Sequence, residues 1–120
     1  MIIPRKMPIT LKRLRQIENQ RIGNRYKEWK MAVLIRDDHK CQWPNCGKTN
    51  DLEVHHIRRY STSPHIRYAV FNGITLCEDH HKFIYNRETM YEIFFFKIVA
   101  AITKKKEEEQ KKKQQDENRN

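Results

Sequence analysis

Apolar residues recur along this chain in three rhythms, and each predicts a different element. Near the start, Pro8-Ile9-Thr10 offers a helix start. Leu11, Leu14, Ile17 and Ile22 then form a sparse stripe among Lys12, Arg13, Arg15 and Arg21, which predicts a basic helix reaching about Arg21. Gly23-Asn24 is expected to break it. A second helix is expected from about Arg25 to Arg36, where Tyr26, Trp29, Ala32, Val33 and Arg36 keep the 3.6-residue period, with Trp29 and Val33 as core. The rhythm changes at Leu52 to Ile57, which alternates as a strand does, and Gly73 to Leu76 can pair back on it. Between them Arg58 to Phe71 reads as a long loop, a length that is often functional. Glu78 and Asp79 sit where first-turn acids favour a new helix. A last helix is expected from near Arg87, with Met90, Ile93, Phe94, Lys97, Ile98 and Ala101 on one face and Phe95, Phe96 and Val99 widening it. That helix is expected to pack on the N-terminal helices, with a homodimer interface as the alternative to a monomer. Lys104 to Asn120 has no apolar residue; it is expected to prolong the helix through Glu/Lys pairs and then fray.

Charge sharpens this picture through its distribution. The net charge is +10, and residues 1–30 hold nine Lys or Arg against two Glu. Residues 31–103 are nearly balanced, with nine bases against eight acids, and residues 104–120 hold seven against five. A basic arm beside a nearly neutral body suits a polyanion, since neutralised phosphates supply much of the affinity for DNA. Three domains follow: a basic helical arm over 1–28, a compact unit over 29–103 and a charged tail over 104–120. At 120 residues the chain has only a modest core, which a metal would staple. Three cysteines and a start without a long apolar segment set the expectation of a reducing cytoplasm and no membrane span.

The candidate chemistry lies between Cys41 and His81. Cys41 and Cys46 enclose four residues, and thirty-one residues after Cys46 the pair Cys77 and His80 has Cys-x-x-His spacing. Together they make a Cys3His set suited to a closed, structural Zn2+ site. His55, His56, Asn72 and His81 are left over, and those four are the candidate active site.

In their order along the chain, Cys41/Cys46, His55-His56, Asn72 and Cys77-Glu78-Asp79-His80-His81 resemble the HNH endonuclease family over roughly residues 29–86. One departure is that His80 stands where the family usually has a second cysteine. The resemblance implies an α+β fold with a small ββα-metal core and a Cys3His zinc knuckle, flanked by N-terminal helices and a C-terminal helix. It also implies hydrolysis of DNA phosphodiester bonds to 5′-phosphate and 3′-hydroxyl ends. His56 would be the general base, His55 and His81 would hold a catalytic divalent ion, and Asn72 would brace the loop and orient His56. Mg2+ or Mn2+ is the expected ion, with Ni2+ and Zn2+ as further candidates. Arg58, Arg59, Arg67 and Lys82, with Lys12, Arg13 and Arg15 on the arm, are the candidate DNA contacts. Alternation along the chain implies that only one of Arg58 and Arg59 faces the DNA, and His65 is expected in solvent. The partner is DNA, joined by phage packaging proteins if the chain serves in packaging, with the host cytoplasm as its location if phage-encoded. Homing and restriction are alternative roles, and a zinc-stabilised DNA-binding or adaptor module without nuclease activity is the alternative class.

Overall fold

A computed structural model describes residues 9–119, so the first eight residues of the expected basic arm lie outside the described part. The order is α1 (Leu11–Arg36), β1 (Leu52–His56), a 3-10 turn (Val70–Asn72), β2 (Gly73–Cys77), α2 (Glu78–Ile84) and α3 (Glu88–Glu117). It is an α+β fold with three helices and a two-stranded antiparallel sheet.

Thr10 caps α1 by accepting from the Arg13 backbone N–H at 3.1 Å, as the local sequence predicts. The break expected at Gly23-Asn24 is absent, and one helix of 26 residues replaces two. A single glycine costs a helix only about 1 kcal/mol, and no proline follows to stop it. The first buried residue is Trp29, followed by Val33. Leu11 and Leu14 are exposed, so the N-terminal stripe covers no core.

β1 and β2 pair from Leu52 opposite Cys77 to His56 opposite Gly73. Every residue of β2 is buried, because α1 crosses one face and α2 and α3 cover the other. One cluster gathers Cys41, Ile57, Ile74, Leu76, Cys77, Ile84, Phe95 and Val99. The other is smaller and joins Trp29, Val33 and Val54. At the end of α1, Arg36 and the buried Asp37 form a bidentate pair at 2.8 and 2.9 Å. The same guanidinium donates to the Val70 and Gly73 carbonyls, and Asp37 accepts the Thr75 N–H at 2.9 Å. This knot locks α1 to the start of β2.

α3 departs from expectation in two ways. Its buried residues are Phe95 and Val99, while Met90 and Ile93 are exposed, so of the face expected to be inward only Ile98 packs against the core. It packs against the knuckle and sheet core, and it meets the end of α1 through Lys106, whose ammonium reaches Asp38 at 2.8 Å. Its charged end prolongs the helix as expected, as far as Glu117. Glu107, Glu108 and Glu109 stand four residues before Lys111, Lys112 and Lys113, the favourable order for paired charges on a helix.

Candidate metal centre and active site

Cys41 lies just beyond the turn at Asp38 and His39, both at positive φ, and Cys46 sits between Asn45 and Gly47, whose φ values are +66° and +67°. These turns bring the first pair of thiols against the end of β2. Cys77 closes β2 and is the N-cap of α2, whose first turn carries His80. The ligand atoms of Cys41, Cys46, Cys77 and His80 all lie within 4.8 Å of one another. His80 Nδ1 stands 3.1 Å from the Cys77 sulfur and 3.5 Å from that of Cys41, and the sulfurs of Cys46 and Cys77 are 3.9 Å apart. Metal–ligand bonds of about 2.0–2.3 Å at tetrahedral angles need similar edges, so this set can hold a metal ion. The ring of Trp43, enclosed by the first cysteine pair, stacks on His80 at 4.8 Å and 9° and fixes its plane. Burial pushes the Cys41 thiol up to about 11, so a metal entering here displaces a proton. Among the described residues this is the one convergent group of three or more metal-binding side chains.

No helix among the described residues is long and apolar enough to cross a membrane.

Because successive strand residues point to opposite faces, the histidine doublet is split. His55 turns toward α2 and α3, with its ring 5.9 Å from His81 and 5.7 Å from Phe95. It is buried, and its Nε2 has no hydrogen-bond partner. Burial, with His81 adding to it, lowers its pKa to about 4, so the ring is neutral at pH 7. An orphaned buried nitrogen on a neutral imidazole is the chemistry of a metal ligand.

His56 turns toward α1. Its ring stacks on Trp29 at 3.9 Å and 13°, and its Nε2–H donates to the Arg67 carbonyl at 3.0 Å. That bond leaves the Nδ1 lone pair available. Burial lowers the His56 pKa against the opposing effect of the Arg67 carbonyl.

Both histidines nonetheless line one cavity of about 360 Å³, with His81, Arg59, Tyr60, Ser61 and Glu88. Glu88 was not among the residues singled out from the sequence. At the N-terminus of α3, its own N–H and that of Asn86 hold it below the usual glutamate value.

Asn72 is fully buried. Its amide accepts from the Arg58 N–H at 2.8 Å and donates to the Arg58 carbonyl at 3.2 Å. It therefore braces the chain just past the doublet. The ring orientation also expected of it comes instead from Trp29 and Arg67.

The arginine pair also separates. Arg59 faces the histidine cavity, whereas Arg58 leans toward α3, 3.8 Å from Glu92. Arg67 lies over the Tyr60 ring at 4.0 Å. Lys82 pairs with Glu78 at 2.9 Å on the exposed side of α2. Lys12, Arg13 and Arg15 are exposed on the projecting part of α1, and His65 is exposed.

Compared with protein-family models, with curated proteins and with solved structures, the chain matches none.

Proposed function

We propose that this chain is a metal-dependent nuclease of the HNH type that hydrolyses DNA phosphodiester bonds. The observation that carries the reading is the state of His56, whose Nε2–H is committed to the Arg67 carbonyl while its ring is clamped on Trp29. Nδ1 is then the acceptor, beside a cavity shared with His55, His81 and Arg59. In this reading β1, β2 and α2 are the ββα-metal unit, and Cys41, Cys46, Cys77 and His80 hold a structural Zn2+ that fastens the knuckle to α2.

His56 Nδ1 takes a proton from water as the water oxygen bonds to phosphorus. The bond from phosphorus to the 3′ oxygen breaks, its electron pair stays on that oxygen, and a solvent proton completes the 3′-hydroxyl. The other product keeps a 5′-phosphate. A divalent ion on His55 and His81 would stabilise the charge that develops on the phosphate and the leaving oxygen. Arg59 offers a guanidinium for a phosphate oxygen, and Asn72 keeps the backbone after His56 from shifting.

One observation favours a second reading, a zinc-held DNA-binding module. His55, His81 and Glu88 share a cavity but do not converge as the Cys3His set does. Conversion of supercoiled plasmid by zinc-loaded protein separates the two. Open-circular or linear product should form with Mg2+ or Mn2+ and not without an added ion. DNA binding without cleavage in Mg2+, Mn2+, Ni2+ or Zn2+ would select the binding module.

A further inference from the structure

A second cavity opens on the α1 side of His56. It measures about 600 Å³, within the range of small-ligand sites, and is walled by Tyr26, Tyr60, Tyr68, Ile22 and Asn19, with Gly23 at its edge. None of these residues has a part in the hydrolytic step. We propose that this cavity receives one nucleobase of the cleaved strand, splayed out of its stack beside the scissile phosphate, so that the substrate is single-stranded or locally unstacked DNA. The proposal rests on the hydrolytic reading of His56 only for its placement next to the cut.

Three features point to a base. The first is the wall itself, since three tyrosines around one cavity offer π-faces on which any base can stack. Asn19 adds an amide whose donor and acceptor match a base edge. The second is the charge on two of the wall tyrosines, where the Arg25 guanidinium lies over Tyr68 at 4.8 Å and that of Arg67 over Tyr60 at 4.0 Å. Cations beside an aromatic slot suit a nucleotide, whose base enters while its phosphate stays outside.

The third is Gly23. It lies inside α1, where glycine weakens a helix, yet a Cβ built on it meets nothing within 4 Å. No close packing demands a glycine here. Its missing side chain instead leaves the cavity open. His56 lines this cavity and the hydrolytic one, so a base held in the first leaves its own phosphate within reach of the second.

The test uses the full zinc-loaded chain without added catalytic ion and short single-stranded oligonucleotides carrying 2-aminopurine at stepped positions. Stacking on tyrosine should quench the probe on binding, and an abasic residue at the same position should weaken binding roughly tenfold or more. Gly23→Leu fills the cavity from a half-buried helix position and should abolish both the quench and the penalty for the abasic site. Tyr26→Ala should reduce both, and circular dichroism checks that each variant is folded. With Mg2+ or Mn2+ added, bulged or single-stranded sites should be cut at least about tenfold faster than intact duplex, a preference that Gly23→Leu erases.

An unquenched probe, or a folded Gly23→Leu protein that behaves as the parent does, overturns the base pocket even if plasmid cleavage proceeds. Quenching that depends on Gly23 with no cleavage in any ion would instead keep the pocket and remove the hydrolase.

Discussion

His80 and His81 are neighbours in sequence, yet α2 gives them different surroundings. A helical step of about 100° separates them, so His80 Nδ1 meets the cysteine sulfurs while His81 faces His55. His80→Ala should therefore lose zinc and cost at least about 3 kcal/mol, on the order of 10 °C in Tm, because an opened structural site forfeits much of its binding energy. His81→Ala should keep one zinc per chain and nearly the parent Tm. Metal analysis alongside thermal melts checks both, and zinc loss in His81→Ala alone would exchange the assignments. The Cys3His set was legible because Cys41/Cys46 and Cys77/His80 are paired by short spacing. Trp29, the Arg67 carbonyl and Glu88 were not legible as site groups. They reach the histidines from 27, 11 and 33 residues away in the chain, and no local pattern encodes such meetings. The Arg36–Asp37 knot escaped notice for the same reason: a charged pair at a helix end reads as solvated until β2 supplies Thr75 and Gly73.

Between elements, α1 approaches β2 closely at Gly73. A Cβ there would stand 2.5 Å from Val33 Cγ2 and 2.7 Å from Trp29 Cζ2, inside any real contact. Gly73→Ala should therefore cost about 1–3 kcal/mol by overpacking. It should also disturb the Trp29 surface on which His56 rests, so cleavage should fall more than stability alone accounts for. Denaturant unfolding and cleavage at saturating protein measure the two effects, and parent-like stability would show that the contact has slack. The elements were read well where one face alone is apolar. Both strands and the start of α1 fall within about a residue of expectation. They were misread where local cues conflict. Gly23-Asn24 looks like a helix end, but intact backbone hydrogen bonding outweighs one glycine. Apolar residues on every side of α3 let two faces compete, and the knuckle and sheet core selected Phe95 and Val99.

The described molecule extends 64 × 52 × 26 Å, and its radius of gyration of 19.7 Å exceeds the roughly 14 Å of a compact chain this long. The first half of α1 and the charged end of α3 project from a small body. Projection keeps the basic residues Lys12, Arg13 and Arg15 away from the histidine cavity, which suits affinity for a polyanion more than chemistry. In the proposed account the body alone supplies the reaction, and within it the doublet divides the work: His56 moves the proton, and His55 holds the ion. Single-turnover cleavage of labelled DNA across a titration of Mg2+ or Mn2+ tests that division most directly. His56→Ala should retain zinc and DNA binding but cut about 10²–10⁴-fold more slowly at every ion concentration, the range for loss of a positioned acid or base. His55→Ala should need more ion and recover part of its rate as ion is added. A His56→Ala protein that cuts within a few-fold of the parent, or is restored by added ion, would contradict the account.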